Sequence, residues 1–115
     1  MKLPNLEAAT IQREKIAEYL VSLSHTKGRD KAGFFRRHGF LPETWELLAA
    51  ALRAHAAAHG IARIDDAPFG TSYVVEGQLQ TPDGRNPYVR AIWFVDRGYE
   101  TPRFINAYPL RRRIQ

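Results

Sequence analysis

The order of apolar and polar positions divides the chain into a helical half and a strand half. Gln12 to Ser24 places Ile16, Tyr19, Leu20 and Leu23 at i, i+3, i+4 and i+7, which lays one apolar stripe along a helix of about 3.6 residues per turn. The loop Ser24-His25-Thr26-Lys27-Gly28 follows, then a short second helix over Asp30 to His38 that carries Phe34 and Phe35 and ends at Gly39, a residue suited to a left-handed C-cap. Pro42 stands where a first helical turn tolerates proline. It opens a third, long helix with the stripe Trp45, Leu48 and Leu52 and with Gly60 as its stop.

From Ile61 onward the period moves toward two, and glycine, proline and aromatic residues become frequent. Thr71 to Gln80 sets Tyr73, Val75, Gly77 and Leu79 against Ser72, Glu76, Gln78 and Gln80, a strand with one buried and one wet face. Pro82-Asp83-Gly84 is a turn signal, and Tyr88 to Val95 returns as the partner strand of a hairpin. A further strand, Arg103 to Tyr108, follows the turn Asp96-Arg97-Gly98, and a short one near Ala62 to Asp65 precedes Phe69. Without βαβ alternation there is no parallel sheet. The pattern predicts an α+β fold: two or three N-terminal helices followed by a three- to four-stranded antiparallel meander sheet. Phe34, Phe35, Trp45, Trp93 and Phe94 are assigned to its core.

A chain of 115 residues has the size of one core, so residues 1–110 are read as a single domain and 111–115 as a basic C-terminal tail. An apolar fraction of 44% is that of a folded chain rather than a disordered one. No run approaches the roughly 18 to 20 apolar residues that span a bilayer, and the start MKLPNLEAAT lacks a secretory apolar stretch. These features predict a cytoplasmic protein without a membrane partner. The absence of cysteine removes disulfides, thiol nucleophiles and most structural zinc sites. His55 and His59 have i, i+4 spacing but no glutamate between them. They are read as solvated or dipole-compensating histidines, and no metal or cofactor is expected.

A net charge of +5 favours an acidic partner: RNA, DNA, an anionic surface or an acidic inhibitor protein. The excess clusters in Lys27 to Arg37 and in Arg111 to Arg113. The run His25-Thr26-Lys27-Gly28-Arg29-Asp30-Lys31 combines an imidazole, three cations and a flexible glycine beside a helix N-terminus, whose N–H groups attract anions. Phosphoester cleavage needs proton transfer at the attacking and leaving oxygens and positive charge on the phosphorane. His25 can supply the first, and Lys27, Arg29 or Lys31 the second. The competing reading is a row of solvated surface cations.

On the sheet, the wet face offers Ser72, Glu76, Gln78 and Gln80, and the facing strand offers Tyr88 and Arg90. Arg90, flanked by Val89, Ala91, Ile92 and Trp93, is costly to bury without an anion, so it pairs with Glu76 or points at a ligand. Tyr99, Arg103, Asn106 and Tyr108 are candidates for the same face. The arginines of the tail are phosphate contacts or simply solvated.

The arrangement His25-x-x-Gly28-Arg29-x-Lys31-Ala32-x-Phe34-Phe35, Gly39-Phe40, Gly70-Thr71-x-Tyr73-Val74-Val75-Glu76-Gly77, Thr81-Pro82-x-Gly84-Arg85 and Pro102-Arg103-Phe104-Ile105-x-Ala107-Tyr108-Pro109 resembles an uncharacterised family of small bacterial toxin-like domains. The resemblance runs from about Leu3 to Leu110. Such domains stand free beside small antitoxin-like proteins or end large secreted toxins, and their layout is similar to that of the barnase, EndoU, colicin and RelE-like ribonuclease superfamily. The resemblance implies a metal-independent endoribonuclease toxin held in check by an acidic antitoxin or immunity protein. Carried over residue by residue, it marks His25, Arg29 and Lys31 in the loop and Tyr108 in the final strand. Asn106 stands where a threonine is expected and supplies an amide but no hydroxyl.

The combined expectation is cleavage of RNA by attack of a 2′-hydroxyl. His25, Lys31, Arg90 and Tyr108 form the catalytic set, and Lys27, Arg29, Ser72, Tyr88, Arg103 and Asn106 bind the substrate. The alternatives are a non-catalytic module that binds RNA or protein through the same basic groove, and a structural or immunity protein whose partner covers the sheet.

Overall fold

Alternating side chains and short connections let each strand fold back on the one before it. β1 (Ile61–Ala67), β2 (Gly70–Gln78), β3 (Tyr88–Asp96) and β4 (Arg103–Pro109) pair in chain order, every neighbour antiparallel. The computed structural model describes residues 1–17 and 29–110, the side chains of 29–32 excepted. Ahead of the sheet stand α1 (Arg13–Lys15), α2 (Arg29–Arg37) and α3 (Trp45–Ala58), with single 3-10 turns at Leu6–Ala8 and Pro42–Thr44. The α+β class and the four-stranded meander are therefore as the pattern predicts.

The helix boundaries follow local chemistry. The expected first helix starts one residue after Gln12, and Ile16, the head of its stripe, is fully buried; Tyr19, Leu20 and Leu23 lie outside the described residues. α2 closes as expected. Gly39 takes φ 101°, its N–H donates to Arg36 O at 3.0 Å and the Phe40 N–H to Phe35 O at 3.2 Å, so the last carbonyls are satisfied. Pro42 heads a separate 3-10 turn rather than α3 itself, which begins at Trp45. Nor is Gly60 the stop: the chain leaves the helix at His59, which is already extended at φ −119°, ψ 145°.

One face of the sheet meets the helices. Val75, Val89, Ala91, Trp93, Phe104 and Ala107 pack with Ile16, Phe35, Phe40, Leu48, Leu52 and Ala56 in a single buried cluster. Trp93 is its largest fully buried side chain and lies edge-on to Phe104, with centroids 5.5 Å apart. Of the aromatic residues assigned to the core, Phe35 and Trp93 lie within this cluster and the other three outside it. Phe34 and Trp45 are only partly buried at its margin. Phe94 is buried on the opposite face, beside Phe69 and beneath Arg103.

The reading of His55 as solvated is corrected by the packing of α3 on the sheet. His55 is 2% exposed, and its Nε2 donates to Gly77 O at 3.1 Å and Val89 O at 3.0 Å. One turn on, His59 Nε2 donates to Gln78 O at 2.9 Å. The sequence offers no pattern for this, since all three acceptors are backbone carbonyls brought in by the hairpin. Gly77 makes the approach possible, because a Cβ there would run into the His59 ring. Gly77→Ala is accordingly expected to destabilise the fold by about 1–3 kcal/mol through overpacking. The urea midpoint reads the loss, and adding His59→Ala to the variant should recover most of it.

Candidate functional site: the outer face of the sheet

Residues of alternate parity project from the other face, and register sorts them into rows. Gln78 pairs with Tyr88; Glu76 with Arg90 and Arg90 with Tyr108; Val74 with Ile92 and Ile92 with Asn106; Ser72 with Phe94 and Phe94 with Arg103. The second row carries the chemistry. Arg90 Nε and Nη2 both lie 2.5 Å from the same carboxylate oxygen, Glu76 Oε2, so Arg90 leaves Oε1 to other donors. On its other side Arg90 Nη1 donates to the Tyr108 hydroxyl at 3.5 Å, with the guanidinium carbon 5.7 Å from the ring centroid. The Tyr108 hydroxyl and the Glu76 carboxylate hold the Arg90 guanidinium above its ordinary value, so it stays cationic. With 30% and 31% of the Arg90 and Glu76 side chains exposed, the pair is open to solvent and to a ligand.

Asn106 stands one row further along. Its Oδ1 accepts the Ala107 N–H at 2.9 Å, beside the register shift between Ile92 and Trp93. Its oxygen is spent on the backbone, and Nδ2 is the group that can meet a ligand. Ser72 and Arg103 lie in the fourth row, about 13 Å along the strands from Arg90, and are not part of the same cluster. Arg103 is clamped in two-pronged fashion by Asp96, with Nε to Oδ2 at 2.8 Å and Nη2 to Oδ1 at 3.1 Å. Its guanidinium also lies 5.3 Å from the Phe94 ring centroid. The Arg103 bonds keep the Asp96 carboxyl below its ordinary range. Tyr99 is 71% exposed in the β3–β4 connection and does not line the face.

Of the loop residues, His25 and Lys27 lie outside the described residues. Arg29 and Lys31 are placed as backbone in the first turn of α2. That turn belongs to a helix that touches β4, the strand bearing Tyr108. Glu76, which the sequence casts only as a structural partner for Arg90, belongs to the site. A signal for it was present: Glu76 and Arg90 each stand seven residues from Asp83, the centre of the hairpin turn, and residues symmetric about a turn pair across it.

Where β3 begins and β4 ends, a cleft of about 410 Å³ opens between Phe34, Pro87, Tyr88, Pro109 and Leu110. Tyr88 belongs to both the cleft and the outer face. Among the described residues no group of three His, Asp or Glu side chains could hold a metal ion, and no helix is long and apolar enough to cross a membrane.

The buried His55 stands apart from this face and serves the fold. Two carbonyls facing Nε2 require the hydrogen on that nitrogen, which leaves Nδ1 buried without a partner among the described residues. Burial pushes the His55 pKa below 6.5, and the hydrogen bonds to Val89 and Gly77 only partly oppose it. In the unfolded chain the imidazole takes a proton near pH 6.5, while the folded one resists it. Stability is therefore complete above that pH and lost as pH falls below it, by at most about 1.4 kcal/mol per pH unit. Urea titrations between pH 7.5 and 5 should show this slope, and His55→Gln should flatten it.

A family model described as a domain of unknown function (DUF6883) matches residues 2–111. No curated protein and no solved structure matches the chain.

Proposed function

The chain belongs to the DUF6883 family, and from the geometry of its sheet face we propose that it is a metal-independent endoribonuclease of toxin type, related to the barnase-like superfamily and acting in the cytoplasm. The observation that carries this reading is the Glu76–Arg90–Tyr108 row, a permanent cation held between a carboxylate and a phenol on an open face. Arg90 offers its fork to the phosphoryl oxygens and offsets the charge of the phosphorane. Oε1 of Glu76 takes the proton of the 2′-hydroxyl as its oxygen bonds to phosphorus. His25 returns a proton to the 5′ oxygen as the P–O5′ bond breaks, leaving a 2′,3′-cyclic phosphate and a free 5′-hydroxyl. Lys27 and, from the first turn of α2, Arg29 and Lys31 add positive charge, and Tyr108 with Asn106 Nδ2 orients the backbone. An acidic antitoxin or immunity protein is the expected inhibitor, since it would meet the same cations.

Incubation of the purified protein with total RNA in EDTA tests the proposal. Fragments ending in cyclic phosphate are expected, and both His25→Ala and Arg90→Ala should suppress them. RNA as intact as in those controls refutes it.

The same pairing supports a second reading, because an arginine already satisfied by Glu76 and Tyr108 can hold a phosphate without cleaving it. Salt-sensitive RNA binding without products, unchanged in Glu76→Gln, would make the domain a binding module.

A further inference from the structure

We infer that the cleft between Phe34, Pro87, Tyr88, Pro109 and Leu110 is a stacking subsite for one unpaired nucleobase, so that the domain selects single-stranded over duplex RNA. The inference rests on the phosphate reading of Arg90 and deepens it. The cleft has room for a base, at about 410 Å³, and two aromatic residues and two prolines line it. Every nucleobase has a π face, and stacking on aromatic side chains holds bases irrespective of sequence.

Position ties the cleft to the cation. Tyr88 precedes Arg90 by two residues in β3, so the two project from the same face about 7 Å apart. A phosphate on Arg90 therefore has the base of an adjoining nucleotide within reach of Tyr88.

The backbone around the cleft has little to offer a base edge. Pro87 and Pro109 carry no N–H. The Leu110 N–H is spent on Tyr88 O at 2.9 Å, and Pro87 O accepts the Leu79 N–H, also at 2.9 Å. Beside the Tyr88 hydroxyl the described lining supplies mainly ring and aliphatic surface, so the subsite reads a base's availability more than its identity. In a duplex the bases remain stacked on one another and cannot enter. An apolar cleft beside a fixed cation has the chemistry of a nucleotide, with ring and phosphate at either end, rather than that of a purely apolar peptide.

The test uses the full chain and a 2′-deoxy oligonucleotide carrying one 2-aminopurine, which lacks the attacking hydroxyl and so reports binding alone. The parent and Tyr88→Phe are expected to change the 2-aminopurine fluorescence on binding. Tyr88→Leu, which keeps apolar bulk but removes the ring, should bind about tenfold more weakly and lose the fluorescence change. Annealing the oligonucleotide to its complement preserves every phosphate and is likewise expected to weaken binding about tenfold. Circular dichroism of each variant confirms the fold. If Tyr88→Leu matches the parent while Arg90→Gln weakens binding, or if duplex and single strand bind equally, the subsite is overturned and the phosphate reading survives. If the parent binds no oligonucleotide, both fall.

Discussion

Arg90→Ala is expected to lower RNA cleavage by about a hundred- to a thousandfold, the usual loss when a preorganised charge aimed at a transition state is removed. Stability should hardly change. Arg90 and Glu76 are each about 30% exposed, and ion pairs of this exposure are worth about 0–1 kcal/mol. A large kinetic loss with an unmoved urea midpoint is the signature of a group that acts on the substrate. Arg90→Lys should recover only part of the activity, because an ammonium keeps the charge without the planar fork. Glu76→Gln separates the two roles of the carboxylate. If Glu76 takes the 2′-hydroxyl proton, the rate falls with little change in affinity; if it only anchors Arg90, affinity and rate fall together. Cleavage by Arg90→Ala within a few-fold of the parent would remove the sheet face from the mechanism.

Trp93→Ala carries the largest expected structural effect, a loss of about 3–5 kcal/mol against the 5–15 kcal/mol of a typical domain. Trp93 is fully buried on β3, packs against Phe104 and joins the cluster that holds α3 and α2 to the sheet. Its removal leaves a cavity beside Phe104 in that cluster. Trp93→Phe should be much milder than alanine. It keeps ring contact with Phe104, and the indole Nε1 it deletes has no acceptor among the described residues, so no hydrogen bond is lost with it. Chemical denaturation followed by circular dichroism ranks the three proteins. A parent-like midpoint for the alanine variant would contradict the packing described for β3.

Period and punctuation alone determined the order of elements, because both act within a few residues. The stripe of Leu48 and Leu52 built α3, Gly39 closed α2, and the alternation about Asp83 paired β2 with β3. What the sequence could not decide depends on distances between residues far apart in the chain. His55 reads as a surface histidine until the hairpin brings the Gly77 and Val89 carbonyls over it. Arg103 reads as a ligand-binding cation until Asp96 takes its guanidinium. Phe34 reads as core until the ends of β3 and β4 turn it into the wall of a cleft. Local spacing fixes which face a side chain projects from; only the packed chain decides whether another group already occupies that face.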